Sequence, residues 1–505
     1  MAPHIRTVTT SSGARAVQIV YSRRRGARQI EHIGSAHDEV ELELLRAVAR
    51  QRLAAGQDEL ELGLQSATPG TPGAPLAITS SRMAHLWDAL CQVYDWLGFD
   101  VAAGGDAVFR DLTLARLIEP TSKLDSLRVL AEVGVASVSY ATVNRRLRLY
   151  SAEGWREGFA AACAKHVGLG PATYLLYDVT TLYFETDAGD GFRESGFSKE
   201  RRLEPQITLG LLTDATGFPL MVQAYEGNAA ETTTMLPTLR AFMKTHGLSD
   251  VVIVADAGMF SDANKKAIEA EGLSFILGAR TPHVPYQVAQ WFREHPGEPI
   301  PDGHVFTQPW PATTGSKARD QVIYYKYSAD YARRTLKGID AQVAKAEQAV
   351  AGKTAVKRNR FITLTDATKS VNRELEVKAR ALAGIKGYVT NLPDPSPELV
   401  IGAYHRLFQI EKSFRMAKSD LAARPIYHRT RESIDAHLSI VFAALAVARV
   451  IEDTTGWSVK KFIKTARRYR TIQIQAGEHT ITAADPLPPD LQDALNAINR
   501  LRRAH

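Results

Sequence analysis

Three acidic residues lie in stretches that could bring their carboxylates into one site. Asp178 follows the apolar residues of TYLLY, Asp256 follows the run VVIVA, and Glu411 lies within YHRLFQIEKSFRMAKSD. The pattern predicts a strand that ends near Asp178 with a second strand after it, and another strand that ends at Asp256. Two strand ends side by side, faced by a helical glutamate, would gather three acids in one pocket. Taken singly, an aspartate at a strand end is more typical of a turn or cap.

Three carboxylates in one pocket suit hard divalent cations. Mg²⁺ or Mn²⁺ takes oxygen ligands, and Mg²⁺ keeps several waters of its own. Two ions roughly 3.5–4 Å apart would activate a water or a 3′-hydroxyl and stabilise the leaving oxygen of a phosphodiester. The expected chemistry is therefore metal-dependent phosphodiester hydrolysis or transfer.

The stretch from 404 to 420 predicts a helix with charge on one face. At about 100° per residue, a sector of roughly 60° contains Tyr404, Glu411, Arg415 and Lys418. The other interpretation is a solvated face with an i,i+4 ion pair between Glu411 and Arg415. The two aspartates upstream favour the site over the solvated face.

The composition is that of a folded protein with several structural units. The 505 residues are too many for one core and suggest about three or four units. With 45% hydrophobic and 23% charged residues, the chain is expected to be globular rather than disordered. The net charge of +7 and pI of about 9.2 favour a polyanionic partner.

The cysteines and the apolar runs predict a soluble, cytoplasmic protein. Cys91 and Cys163 are far apart in apolar helical contexts, which argues against a disulfide or a thiolate metal site. No apolar signal segment is expected at the N-terminus. The longest apolar run, Leu438 to Val450, contains Arg449 and is too short to cross a bilayer, so no membrane partner is expected.

The first segments combine a strand meander with helices. Residues 5–33 alternate around Gly13 and Gly26, and a helix is expected from Asp38 to Ala54. The meander carries one acid, Glu31, against the cations Arg6, Arg15, Arg23, Arg24, Arg25 and Arg28. These arginines either protect a strand edge or contact a DNA backbone.

Helical periodicity is expected from Ser80 onward. The helices predicted at Thr121–Glu132 and Ser139–Tyr150 have the dimensions of a helix-turn-helix, although many short helix pairs do. The second of them carries Asn144, Arg145, Arg146 and Arg148. These residues are candidates for DNA contact.

Strands and helices alternate from Thr173 to Arg280, which predicts a mixed sheet covered by helices. A hairpin is expected through Ala215, Thr216 and Gly217, followed by a helix from Glu231 to His246. Ser261 is expected to cap a further helix. Residues 281–395 open with prolines and two tryptophans, and an apolar seam then predicts a helix through Leu336, Ile339, Val343, Ala346 and Val350.

The C-terminal part is expected to be helical. Leu438–Val450 predicts a buried helix, and Ser458–Arg470 predicts an amphipathic one. The polar face of the latter carries Lys460, Lys461, Lys464, Arg467, Arg468 and Arg470 without a compensating acid. Such a face is either solvated or bound to nucleic acid.

These patterns predict an α/β protein with several segments. We expect an N-terminal strand meander and helix at 1–65, a linker at 66–75, a helical DNA-binding candidate at 76–170, the first part of the core at 171–280, an inserted α+β subdomain at 281–395, the second part of the core with the Glu411 helix at 396–450, and a C-terminal helical region at 451–505.

The three acidic stretches resemble a known family. YDVTTLYFE around Asp178, VVIVADAGMFS around Asp256 and Y-x2-L-x3-E-x6-K from Tyr404 to Lys418 resemble the catalytic blocks of bacterial insertion-sequence DDE transposases of the Tyr-Arg-Glu-Lys (YREK) signature type. The resemblance implies a ribonuclease H-like core in which Asp178, Asp256 and Glu411 bind two Mg²⁺ or Mn²⁺ ions. It also implies that Tyr404 and Lys418 contact phosphates near the transposon end.

One signature position differs, because Leu407 stands where this type has arginine. A leucine cannot hold a phosphate, so this role is either vacant or passes to Arg406 or Arg415, of which Arg415 shares the Glu411 face. The resemblance further implies an aromatic residue that stacks on a flipped base. Trp310 and Trp291 are the candidates, although a tryptophan in such a position is more often a core residue.

The function implied is DNA transposition in a bacterial cytoplasm, on the nucleoid. Terminal inverted repeats of double-stranded DNA would be bound, cut and joined through their 3′-hydroxyl to target DNA, with a hairpin intermediate and a homodimeric synaptic complex. The alternatives are a nuclease that cuts without joining and a catalytically inactive DNA-binding regulator. A two-carboxylate glycosidase is disfavoured by the basic patches.

Overall fold

A computed structural model describes most of the chain. The described residues are 3–10, 13–22, 28–54, 77–136, 138–170, 173–186, 189–196, 204–248, 250–259, 261–279, 281–310, 319–355, 359–365, 368–424, 426–476 and 479–501. The linker expected at 66–75 lies outside them, as do Arg23, Arg24 and Arg25 of the meander. Because the expected linker lies outside the described residues, the division into domains stays a prediction.

The N-terminal segment forms the expected meander. Its elements are β1 (His4–Thr9), β2 (Arg15–Ser22), β3 (Arg28–Ala36) and α1 (Glu39–Ala54). The three strands are antiparallel in the order β1-β2-β3. A separate apolar core that includes Val17, Ile19 and Leu42 joins the sheet to α1, since one face of each element is apolar.

A strand and six helices follow. They are β4 (Ala77–Arg82), α2 (Ala84–Trp96), α3 (Phe99–Ala102), α4 (Ala107–Ile118), α5 (Ser126–Glu132), α6 (Tyr140–Tyr150) and α7 (Glu153–Val167). The prediction of helix from Ser80 is wrong at β4, because these residues pair with a strand near the C-terminus. The first helix of the expected helix-turn-helix begins at Ser126 rather than Thr121. Both α5 and α6 pack against α4, so the pair is part of a larger helical bundle.

The central sheet has eight strands among the described residues. Its elements, with the helices between them, are β5 (Thr173–Tyr183), β6 (Gln206–Thr213), β7 (Pro219–Glu226), α8 (Glu231–His246), β8 (Val251–Ala255), α9 (Asp262–Ala270), β9 (Ser274–Ala279), α10 (Tyr286–Glu294), β10 (Val305–Trp310), β11 (Gln321–Tyr327), α11 (Ala329–Val350), β12 (Ile362–Thr365), β13 (Thr368–Val371), α12 (Arg373–Ala381) and β14 (Ile385–Thr390). The strand order is β10-β11-β14-β9-β8-β5-β6-β7.

Strand direction in this sheet is mixed, as the sequence predicted. β8 is parallel to β5 and to β9, whereas the other neighbouring pairs are antiparallel. Every residue of β6 and β8 is buried, because helices cover the sheet. The mixed sheet confirms the predicted α/β class and is consistent with a ribonuclease H-like core.

β5 corrects one prediction. It is a single strand, so Asp178 lies in its interior and not at a strand end. The strand continues because Val179 and Leu182 are buried and because β6 pairs with it as far as Tyr183. By contrast, Asp256 follows the last residue of β8, as predicted.

Residues 281–395 contain two structural parts. Strands β10, β11 and β14 extend the central sheet beyond β9. α11, the hairpin β12–β13 and α12 share a small core of their own, which includes Ile339, Val343 and Phe361. The segment with its own small core is therefore joined to the central sheet through β11 and β14, which precede and follow it in the chain.

The C-terminal part is mostly helical. Its elements are α13 (Pro397–His405), α14 (Leu407–Arg415), a π-helical turn (Met416–Asp420), α15 (Arg431–Thr455), α16 (Val459–Ala466), β15 (Thr471–Ala476), β16 (His479–Ala484) and α17 (Pro489–Leu501). The hairpin β15–β16 was not predicted, and it forms a three-stranded sheet with β4. Its strands are half-buried or exposed, so they lack the apolar run that marks a buried strand.

α15 extends the predicted buried run to 25 residues. Among the described helices, it is the one with the length and apolarity of a membrane span, but 94% of its most apolar window is buried inside the protein. It packs against α4, α6, α17 and β7. Such burial is typical of a core helix.

Candidate active site

The central sheet places two of the predicted acids side by side. In the parallel pair of β5 and β8, Tyr177 is in register with Ala255. Asp178 and Asp256 are the next residues on the two chains, and neighbouring strands lie about 4.8 Å apart. Asp178 is half-buried and accepts a hydrogen bond from the Val179 N–H at 2.8 Å, whereas Asp256 is exposed. Two acids distant in sequence thus follow an in-register pair on neighbouring strands.

Tyr404 holds the second of these acids. Its hydroxyl donates to Asp256 Oδ1 at 2.5 Å, and the side chain is buried. Burial and this hydrogen bond raise the pKa of Tyr404. Gly278 on β9 makes room for the contact, since a Cβ there would lie 2.7 Å from the Tyr404 hydroxyl. The phosphate contact that the resemblance implied for Tyr404 stays a prediction.

The single helix predicted from Tyr404 to Asp420 is wrong. The chain turns at Arg406, which ends α13 and begins α14, so Tyr404 does not share a helix face with Glu411. The physical reason is that the two helices pack on different parts of the sheet. α13 contacts β8, β9 and β14, whereas α14 contacts β5.

α14 is fixed to the hairpin between β6 and β7. Ser413 donates its hydroxyl to the Gly217 carbonyl at 2.7 Å. Gly217 has a φ of +85°, and a Cβ at that position would lie 2.8 Å from Gln409. Glycine is therefore required both for the turn and for the close approach of the helix. The opposite anchor is an ion pair between Lys412 and Glu452 of α15 at 2.9 Å.

Glu411 and Arg415 are exposed on α14, one turn apart, and Lys418 is half-buried on the π-helical turn. Glu411 is carried by the helix that packs on the Asp178 strand. In the part of the chain that the structure describes, no group of three His, Cys, Asp or Glu side chains is placed to hold a metal ion. The pair of aspartates supplies the oxygen donors that Mg²⁺ prefers, and a complete three-acid site stays a prediction.

Leu407 has a structural explanation. It is buried against the core, so the position that carries arginine in the YREK signature faces inward in this chain. Arg406, one residue earlier, is exposed, and its guanidinium lies 5.9 Å from the Tyr174 ring centroid. Arg406 and Arg415 both remain available to a phosphate.

Lys386 is a site residue that the sequence analysis missed. It is exposed on β14, and its Nζ lies 4.6 Å from the ring centroid of Tyr404, whose hydroxyl binds Asp256. The register pairs it with Lys326 of β11. The signal was a single charged residue in the strand IKGYVT. One lysine in a strand is typical of any sheet with one open face, so this signal alone was too weak.

The two tryptophans proposed for base stacking lie near the edge of the sheet. Trp291 on α10 stacks on His295 at 3.9 Å between ring centroids and also packs near His304 and Phe306. Trp310 ends the edge strand β10 and is half-buried. The structure places both against the apolar core, and their role in base stacking stays a prediction.

The remaining DNA-binding candidates lie on two other helices. Arg145 and Arg146 are exposed on α6, where Arg146 pairs with Asp106 at 3.3 Å. Lys461, Lys464 and Arg468 are exposed on and just after α16. Arg467 corrects the prediction of an uncompensated basic face, since it is buried and pairs with Glu119 at 3.0 Å. It lies on the apolar side of α16 and faces the helical bundle.

The mixed sheet thus places two of the three predicted acids at adjacent positions of neighbouring strands. A model of the transposase DDE domain family matches residues 170–447, a range that covers more than half of the chain and includes the positions of all three acids, so the chain belongs to that family. A search of curated proteins found no match. A solved structure, the piggyBac transposase synaptic complex with hairpin DNA, is similar with a TM-score of 0.39 and 11% identity, over 76% of this chain and 78% of that one.

Proposed function

We propose that this chain is a DNA transposase that binds terminal inverted repeats, cuts the element ends by divalent-metal-dependent hydrolysis and transfers the 3′-hydroxyl to target DNA. The observation that carries the proposal is the adjacent placement of Asp178 and Asp256, within the matched DDE domain. The YREK signature, with leucine at its arginine position, supports a bacterial insertion-sequence origin and a cytoplasmic location on the nucleoid.

Asp178, Asp256 and Glu411 would hold Mg²⁺ or Mn²⁺, two ions per site. The Tyr404 hydroxyl donates a hydrogen bond to Oδ1 of Asp256, and Oδ2 has no partner among the described residues. Glu411 is exposed, and the described polar contacts of the α14 side chains are those of the two residues that follow it, Lys412 and Ser413. A bound ion supplies Lewis-acid activation of the attacking oxygen. The chain itself positions the donors.

DNA would be held by exposed cations around these acids. The exposed ones are Lys386 on β14, Arg406 between α13 and α14, and Arg415 on α14. Lys418, which is half-buried on the π-helical turn, lies three residues further along the chain. Arg145, Arg146, Lys461, Lys464 and Arg468 would contact more distant phosphates of the repeat. A homodimer would bring two ends together for joining.

The test uses DNA that flanks the gene. Pre-cut ends and a supercoiled target are incubated with the full chain in Mg²⁺, and joined product is measured. We expect Asp178→Asn, Asp256→Asn and Glu411→Gln each to reduce cutting and joining by at least about a thousandfold while DNA binding persists, because a metal ligand supplies several kcal/mol to the transition state.

Two exposed acids near the site provide matched controls. Asp250→Asn changes an exposed acid at the other end of β8, and Glu398→Gln changes an exposed acid on α13. Both are expected to retain wild-type activity. Full activity in any of the three acid variants would contradict the proposed site.

The joining assay also separates the alternatives. Cutting without joined product would identify a nuclease. DNA binding without either reaction would identify a regulator, which the buried Leu407 at the signature position favours over the nuclease.

Tyr404 is expected to position Asp256. Tyr404→Phe removes one charge-assisted hydrogen bond, so the cutting rate should fall about tenfold with the same dependence on DNA concentration. Tyr388→Phe is the control, because the Tyr388 ring packs 4.9 Å from that of Tyr404 and its hydroxyl does not contact the acid. Equal rates in the two variants would show that the Tyr404 hydroxyl has no role in positioning.

A further inference from the structure

Four basic side chains meet between the end of α4 and the start of α15. Arg116 lies in the last turn of α4 and Lys123 in the loop after it, while His428 precedes α15 and His437 lies within it. Lys123 Nζ is hydrogen-bonded to His428 Nε2. The His428 and His437 rings are 5.4 Å apart between centroids. Two parts of the chain far apart in sequence thus build one basic cluster.

The cluster is largely closed to solvent. Arg116 is 8% exposed, Lys123 5% and His437 4%, and His428 is the half-buried member. Ile426, in the loop that carries His428, bridges to Phe184 just beyond β5. This position is about 20 Å along the strand from Asp178, at roughly 3.3 Å per residue. The cluster is therefore separate from the acids.

No acid balances these charges within the described residues. None of the four makes an ion pair there, and the Arg116 guanidinium makes no hydrogen bond. His437 contacts the Ala423 carbonyl through Nε2 at 3.2 Å, while its buried Nδ1 has no partner. A buried, unpaired cation is unfavourable by several kcal/mol.

The electrostatics agree with this geometry. Burial lowers the pKa of Arg116 to about 10. Burial and the nearby charge of Arg116 lower the pKa of Lys123. Burial and Lys123 lower the pKa of His428 to about 3. The partial negative charge at the end of α4 contributes only about 0.3–1 kcal/mol to a nearby cation. An anion would satisfy all four groups at once.

We propose that Arg116, Lys123, His428 and His437 form a binding site for a phosphate group. Arginine offers paired N–H donors, lysine a point charge, and His428 a further N–H donor through Nδ1, since its Nε2 accepts from Lys123. His437 donates its Nε2–H to the Ala423 carbonyl, so its Nδ1 becomes a donor only when the bound anion protonates the ring. The phosphate enters beside His428, the half-buried member of the cluster. Two sources share this chemistry: a backbone phosphate of bound DNA and a free phosphate ion. The assignment to DNA rests on the proposed function, and the assignment to the free ion does not.

The first arm measures free phosphate. The melting temperature of the full chain is followed against inorganic phosphate at constant ionic strength, with chloride as the balancing anion. The wild type should show a saturable rise. In Lys123→Met the apparent phosphate affinity should fall about tenfold or more, since a charged donor is lost. The control, Lys165→Met, removes the same charge from an exposed position on α7 and should match the wild type.

The second arm measures duplex DNA. Affinity is titrated against salt for the same three proteins. If a backbone phosphate occupies the site, Lys123→Met weakens DNA binding about tenfold more than Lys165→Met and lowers the salt slope by about one. His428→Gln, at the half-exposed position, provides a second variant if Lys123→Met does not fold.

The outcomes are distinct. Loss of DNA affinity, with or without loss of the phosphate response, assigns the site to the DNA backbone. Loss of the phosphate response alone assigns it to the free ion. The proposal is overturned if the cluster variants match Lys165→Met in both arms, and this result would leave the cutting and joining assay unaffected.

Discussion

Two buried clusters of charged side chains lie near the end of α4. They differ in whether acids pair with their cations. In the first, the ion-pair network, Arg128 binds Glu119 at 2.5 Å and Glu132 at 2.7 Å, and Arg467 binds Glu119 at 3.0 Å. In the second, the basic cluster of Arg116, Lys123, His428 and His437, no described acid takes part. One helix turn separates Arg116 from Glu119.

The presence or absence of pairing acids distinguishes charges that stabilise the fold from charges that can bind a ligand. The ion-pair network joins β3 through His32, α5 through Arg128 and α16 through Arg467, so it ties the N-terminal meander and the C-terminal region to the helical bundle. Its charges satisfy one another. The basic cluster also joins two segments, but no described acid pairs with its cations. We infer that the anion that balances them comes from a bound ligand.

The largest expected effect is on the ion-pair network. Arg467→Met leaves Glu119 and Glu132 buried with one cation fewer, so the free energy of unfolding should fall by about 3–5 kcal/mol. Chemical denaturation measures the change. Arg468→Met, at the exposed neighbouring position, should change it by less than about 0.5 kcal/mol. Equal losses in both variants would show that the network is not structural.

Acid should weaken the same network. Burial raises the pKa of Glu132, but the His32 hydrogen bond and the Arg128 charge outweigh burial and lower the pKa to about 2. A depressed folded-state pKa means that the stabilisation is complete above the unfolded value of about 4.5 and is lost as pH falls toward 2.

The wild type should therefore lose its advantage over Glu132→Gln, up to about 3 kcal/mol, between pH 5 and 2. Denaturation curves at successive pH values measure this difference. A difference that stays constant with pH would contradict the assigned charge on Glu132.

The smallest effect is expected in the basic cluster. Without phosphate, Lys123→Met removes a buried cation that no acid balances, so the free energy of unfolding should stay equal or rise by up to about 1 kcal/mol. The measurement is denaturation in phosphate-free buffer. A loss of the size expected for Arg467→Met would mean that the Lys123 charge is balanced within the folded chain and would remove the contrast between the clusters.

The sequence predicted the elements that carry the acids better than their arrangement. Apolar runs identified the strands around Asp178 and Asp256, and Ala215–Gly217 identified the hairpin, because these signals are local. The break at Arg406 was invisible, since helical periodicity continues through it and only the packing of α13 and α14 on different strands reveals it.

The charge clusters could not be predicted from local pattern. Lys123 and His428 are 305 residues apart, and each alone is typical of a solvated loop. Arg467 belonged by periodicity to an exposed basic face, yet it is buried because two acids of the helical bundle lie opposite it. Balance among charges is a property of the folded chain.

The most direct test of the central claim is metal binding by the aspartate pair. Electron paramagnetic resonance counts Mn²⁺ bound to the full chain with end DNA for the wild type, Asp178→Asn, Asp256→Asn and the control Asp250→Asn. We predict that Asp250→Asn matches the wild type and that each of the other two lowers Mn²⁺ affinity at least about tenfold, because each removes a carboxylate ligand. Wild-type Mn²⁺ binding by folded Asp178→Asn and Asp256→Asn would contradict the account.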